Sequence, residues 1–182
     1  MKKILLLGDS IRIGYQQYVR DFLNGKAEVY FPEENGRFAK HTLWGVNLWI
    51  KEFGTPDIVH WNNGLWDLHH EAPMIEALST KDEYIETLGR IINELKRTSA
   101  KIIFATTTPV PSNAIGRSNA EIDSYNKVAI ELMNKNSIEI NDLNALIKSG
   151  LSENICDDNL HLTFKAYQEC GKQVAQVLLK HI

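Results

Sequence analysis

Met1-Lys2-Lys3-Ile4-Leu5-Leu6-Leu7-Gly8-Asp9-Ser10 opens the sequence, and the reading of its apolar run decides the fold. Two lysines before an apolar stretch imitate a secretory signal. Ile4–Leu7 is far shorter than the ~7–15 apolar residues of such a core, however, and the polar Gly8-Asp9-Ser10 follows at once. The segment therefore reads as a buried first strand, Lys3–Leu7, that stops at a polar turn.

Outward from that strand, short β-branched or apolar runs alternate with longer stretches of helical period. Strands are expected at Ala27–Phe31, Asp57–Asn62, Lys101–Thr107 and Ser137–Ile140. Helices are expected at Tyr15–Leu23, Thr42–Phe53, Asp82–Arg97, Asn119–Asn134 and Phe164–Leu179. In the third helix Ile85, Leu88, Ile91, Ile92 and Leu95 recur at three- and four-residue steps, which gives one apolar face. Tyr167, Cys170, Val174, Val177 and Leu178 do the same for the last. This alternation predicts an α/β protein with a five-stranded, mostly parallel sheet and helices on both faces.

The chain has 182 residues, 43% of them hydrophobic. With no internal repeat and no Ser-, Pro- or Gly-rich linker, residues 1–182 read as a single domain. Twenty Lys and Arg against 23 Asp and Glu leave a net charge of −3 with no block of either sign, which argues against a nucleic-acid partner. No apolar run approaches the ~20 residues of a membrane span. The two cysteines, Cys156 and Cys170, form no CxxC and fit a reducing compartment, so a cytoplasmic location is expected.

In a doubly wound sheet, ligands bind where loops converge beyond the carboxyl ends of the strands. Polar clusters stand there: Gly8-Asp9-Ser10 after the first strand, Glu33–Arg37 after the second and Asn62-Asn63-Gly64 after the third. A fourth, Asp157-Asp158-Asn159-Leu160-His161, precedes the last helix. Ser10 at the mouth of a helix suits a nucleophile, although a helix-capping serine would occupy the same place. Asp158 and His161 are close enough for one turn to join carboxylate to imidazole, leaving the second ring nitrogen for Ser10. A plain turn before a helix accounts for the same spacing.

Taken together, Gly8-Asp9-Ser10, Gly36, Asn62 and Asp158-x-x-His161 resemble, in order, the motifs of the SGNH hydrolases, the GDSL-type esterase/lipase superfamily. The resemblance runs from residue 8 to residue 161. It implies a flavodoxin-like three-layer α/β/α sandwich, serine-dependent ester hydrolysis, and neither cofactor nor metal. Residue by residue, Ser10 resembles the nucleophile and first oxyanion donor, Asp158 the orienting acid and His161 the general base. Gly36, through its backbone N–H, and Asn62, through its side-chain amide, resemble the other two oxyanion donors. The sequence departs from the family pattern at His60, where glycine is usual, at Asn63, where aspartate is usual, and at Ile11, where leucine is.

Asp9, Asn63, Trp66 and His69 are expected to contact substrate. Asp67, His69, His70 and Glu71 are metal-competent, but adjacent histidines tend to point apart, so the segment reads as a loop roofing the pocket. Arg117 would meet an anionic substrate group if its loop bordered the cleft; a solvated loop arginine is the plainer expectation. Trp44 and Trp49 are expected in the core. The expected partner is a small-molecule or glycan ester, with short acyl groups such as acetyl on a sugar or other polar alcohol. The alternatives are a lysophospholipase or thioesterase and a non-catalytic glycan-binding protein; oligomeric state is not legible.

Overall fold

The structure is a computed structural model describing residues 1–182. Five strands, β1 (Lys2–Leu7), β2 (Ala27–Tyr30), β3 (Ile58–Trp61), β4 (Lys101–Ala105) and β5 (Glu139–Asn141), form one sheet. Its order is β2-β1-β3-β4-β5 and every pairing is parallel, so the fold is an α/β/α sandwich of flavodoxin-like topology. Ile4 to Leu7 are all buried, as a central parallel strand covered on both faces requires. Leu7 lies level with Trp61 of β3, so the two strands finish side by side at the switch point where strand order reverses. Residues following β1 and β3 must therefore share one crevice.

Seven helices cover the sheet: α1 (Ser10–Phe22), α2 (Ala39–Phe53), α3 (Lys81–Lys96), α4 (Asn119–Lys135), α5 (Leu143–Lys148), α6 (Leu151–Asn154) and α7 (Phe164–Leu179). α1 packs against α7 on one side, while α2, α3 and α4 lie side by side on the other. The α1–α7 contact is close because a glycine stands on each helix. A methyl group on Gly14 would strike the Tyr167 ring, and one on Gly171 would lie 2.5 Å from Tyr18 Cβ. This contact brings the start and the end of the sequence to the same side of the sheet.

The element boundaries differ from expectation where a side chain from elsewhere supplies a cap. α1 begins at Ser10 rather than Tyr15, because Ile11 N–H donates to the Asp9 carboxylate and satisfies one of the amides that a helix start leaves free. α2 begins at Ala39 rather than Thr42. Its own N-cap, Phe38, offers no acceptor, and Asp67 supplies one by accepting from Ala39 N at 3.0 and 3.1 Å. β5 lies two residues later than expected, and the short α5 and α6 carry too few apolar repeats to be read. Trp49 is buried as expected, with Nε1 donating to Glu34 Oε1, but Trp44 is 64% exposed. Five residues apart on a helix amount to 500° of rotation, so only one of the two indoles reaches the core.

Candidate active site

Ser10 is the first residue of α1, immediately beyond β1. Its Oγ lies 2.9 Å from His161 Nε2, and His161 Nδ1 lies 2.7 Å from Asp158 Oδ2. The other Asp158 oxygen, Oδ1, accepts from the backbone amides of Leu160 at 3.0 Å and His161 at 2.9 Å. Partial burial pulls the Asp158 carboxyl upward. Donation from the His161 ring and the two amides outweighs this and holds it below the usual carboxylate range. The aspartate is thus an anion fixed on its imidazole, with the opposite ring nitrogen facing the hydroxyl.

The 158–161 segment holds this shape through local bonds. Ile155 and Leu162 form an antiparallel bridge, and Cys156 N–H donates to His161 O at 2.7 Å, closing the loop at its neck. Asn159 takes the left-handed conformation, φ 60°, which asparagine tolerates better than most residues. Thr163 then caps α7 through Ala166 N–H.

The Ser10 N–H, at the N-terminus of α1, belongs to the set of amides without an intrahelical acceptor and carries the positive end of the helix dipole. Asn62, just past β3 and 5% exposed, donates one Nδ2 hydrogen to Asp9 Oδ1 at 3.0 Å, which leaves the second for another acceptor. Gly36 departs from its expected part. Its N–H donates to Gly8 O at 2.9 Å instead of facing the crevice, and the next amide, Arg37 N, is taken by Asn35 Oδ1. Glycine stands there because a Cβ would lie 2.6 Å from Gly8 O, so the two backbones touch.

Two of the expected substrate contacts are structural instead. Asp9 is 1% exposed and caps α1 while holding Asn62. Burial pushes its carboxyl up, against the hydrogen bonds from Asn62 and Ile11 and the charges of Arg12 and His161. Asn63 is fully buried: its Oδ1 accepts from Trp61 Nε1 and its Nδ2 donates to Arg37 O. An aspartate in that place could not donate to the Arg37 carbonyl, which accounts for the asparagine. His60, the other departure, is buried between Tyr15 OH and Asn141 Nδ2, and burial drives its pKa down to about 3.

Trp66 is half-buried and does not line the cavity beside Asp158, whereas His69 does. The metal-competent side chains of this loop diverge. Asp67 caps α2, His70 pairs with Glu121 at 2.9 Å, and His69 sits 3.8 Å from Glu71.

Two arginines lie deeper than the sequence suggests: Arg12, which sequence reasoning missed, and Arg117, for which a solvated position was the plainer expectation. Arg12 is fully buried and donates to Gln16 Oε1, Pro32 O, Gly8 O and Glu34 O, tying the β2–α2 loop to the Ser10 turn. Desolvation lowers its pKa to about 10. Its only sequence signal is a charge between the apolar Ile11 and Ile13. Arg117 is half-buried rather than solvated and lines the cavity that includes Asp158.

No protein-family model matches the sequence. No curated protein matches it either. Solved structures do match in shape. A lipase/acylhydrolase from Enterococcus faecalis superimposes with a TM-score of 0.85 at 23% identity, over 98% of this chain and 95% of that one. The acetyl xylan esterase AlAXEase gives 0.81 at 18% identity over 97% and 99%. A GDSL-like lipase from Bacteroides thetaiotaomicron gives 0.80 at 17% identity over 100% and 89%. Over 97–100% of its length the chain shares its α/β/α fold with this lipase/acylhydrolase, this acetyl xylan esterase and this GDSL-like lipase.

Proposed function

We propose that the protein is a serine esterase that hydrolyses carboxylic esters through Ser10, His161 and Asp158. The observation that carries this reading is the continuous hydrogen-bonded line from the Ser10 hydroxyl through both His161 nitrogens to the Asp158 carboxylate. A serine hydroxyl is a weak nucleophile until a neighbouring base takes its proton, and a base is useful only when held in one tautomer. Asp158, accepting from Nδ1–H, leaves Nε2 as the acceptor facing Oγ.

Ser10 Oγ bonds to the ester carbonyl carbon as its proton passes to His161 Nε2, and the carbonyl π pair moves onto oxygen. The Ser10 N–H and the uncommitted Asn62 Nδ2 hydrogen take that oxyanion; donors aimed at such a charge contribute roughly 10²–10³ each in rate. Collapse breaks the bond to the alcohol, whose oxygen receives the proton from His161. Water then adds to the acyl-enzyme by the same proton route, releasing the acid and restoring Ser10.

Short acyl groups on a sugar or other polar alcohol suit the site. The small cavity lined by Asp9, Ile11, Asn62, Leu65 and Thr106–Thr108 has no space the size of a water molecule, which favours a small acyl group there. Four of the similar structures, of two proteins, are named acetyl xylan or acetyl-xylooligosaccharide esterases, which concerns those proteins and lends support to acetyl here. Treatment with a fluorophosphonate tests the reading: the expected result is one adduct, on Ser10, with parallel loss of p-nitrophenyl acetate hydrolysis. An unlabelled Ser10, or full activity in Ser10→Ala, overturns it.

A further inference from the structure

Beside the triad lies a cavity of about 210 Å³ lined by His69, Glu71, Arg117, Asp158, Asn159 and Leu160. Its most unusual wall is the guanidinium. Arg117 donates through Nε to Leu65 O at 2.7 Å, an anchor that leaves both Nη nitrogens without a protein acceptor, and it forms no ion pair. Burial depresses its pKa, with the Asp9 and Glu71 charges only partly opposing this. A half-buried cation with no counter-charge in contact is costly, and an anion delivered by a ligand offsets that cost.

The other charged groups facing the cavity do not supply that anion. Asp158 is committed to His161 and two backbone amides. Glu71 has a side chain 58% exposed and sits 3.8 Å from His69 Nε2. His69 itself is held below its ordinary pKa by burial and by Arg117. The cavity also has a defined place in the reaction. In the mechanism above the departing oxygen takes its proton from His161, and Asp158–Leu160 of the loop that carries His161 form one wall of the cavity.

We infer that Arg117 is a specificity-determining residue that selects esters whose leaving alcohol carries a carboxylate. The inference rests on the proposed esterase reading and deepens it by naming a substrate class. With Nε fixed to the Leu65 carbonyl, the guanidinium presents its two Nη groups side by side, the fork that fits a carboxylate. An acylated sugar acid or hydroxybenzoate places such a group one ring away from the scissile oxygen.

The test uses 4-acetoxybenzoate and its methyl ester, two acetyl esters alike except for the charge on the leaving group. The wild-type protein is expected to show a KM for the carboxylate probe about tenfold below that for the methyl ester, the scale of a charge-assisted pair. Added salt should narrow that gap by screening the anion. Arg117→Met should raise KM for the carboxylate probe by about the same factor and leave kcat/KM for the methyl ester within about twofold, with Arg117→Lys in between. Equal KM values for the two probes in wild type overturn the inference. So does an equal loss on both probes in Arg117→Met, which would mark Arg117 as a support of the Leu65 loop alone. If neither probe is hydrolysed in a Ser10-dependent way, the esterase reading falls and the substrate class falls with it.

Discussion

Asp9 Oδ1 accepts from Asn62 Nδ2 and from Ile11 N, both at 3.0 Å, so one carboxylate oxygen caps α1 and aims the amide that follows β3. The exits of two neighbouring strands are thereby locked to each other at a single atom. Loss of that lock should be visible in turnover as well as in stability.

Asn62→Ala is expected to lower kcat on p-nitrophenyl acetate by about 10²–10³, the worth of one oxyanion donor. Asp9→Ala should cost about 1 kcal/mol through the lost cap and lower kcat less, since the donor remains but is no longer oriented. In the Asn62→Ala background the kcat effect of Asp9→Ala should vanish. Steady-state kinetics on the four proteins of the cycle measure this, and additive effects would refute the link.

Gly36→Ala places a methyl group against the Gly8 carbonyl, backbone against backbone, with neither side free to give. Overpacking of this kind costs roughly 1–3 kcal/mol. Urea unfolding should show that loss, and turnover should fall because Gly8 adjoins the Asp9-Ser10 turn.

Asp67 is buried, and desolvation raises its pKa to about 7 in spite of the bonds from Ala39 N and Ser79 Oγ. Between the unfolded value near 3.8 and about 7, the folded protein holds a proton that the unfolded chain has released. Stability should therefore decline as pH rises through that window, by up to about 1.4 kcal/mol per pH unit. Asp67→Asn removes the titration, so its stability relative to wild type should improve from pH 4 to pH 7 and then level off. Chemical denaturation at several pH values reads the trend.

His60 works in the opposite sense. Burial depresses its pKa from 6.5 to about 3, so below pH 6.5 the unfolded chain gains a proton that the folded one refuses. That contribution to stability is complete above pH 6.5 and is lost progressively as pH falls. His60→Gln, which keeps an acceptor for Asn141 Nδ2, should lose less stability than wild type between pH 6.5 and pH 4 under the same denaturation series. A parallel decline would show that His60 carries no such linkage.

Much of the architecture was legible because it rests on local pattern. Ile4–Leu7 and Ile102–Ala105 are buried strands wherever they occur in a parallel sheet, and the three- and four-residue steps of Ile85–Leu95 fix a helix face. Asp158 and His161 were legible as a pair for the same reason, since three residues separate them and one turn joins them. What escaped depends on distant partners. The early start of α2 needs Asp67, and the Gly36 N–H finds its acceptor on Gly8, 28 residues earlier. A charge written into the sequence does not say how deeply it lies: Arg12 is fully buried with little beyond its apolar neighbours in sequence to announce this, and Arg117, for which a solvated loop position was the plainer expectation, is half-buried.

The hydroxyl and the imidazole are 151 positions apart, and they meet because α7 docks against α1. On the proposed esterase reading, a ribosome-bound chain gains no turnover before His161 and α7 have emerged, however well the central strands have already paired. During refolding, regained turnover should report the seating of α7 on α1, later than any signal from sheet formation.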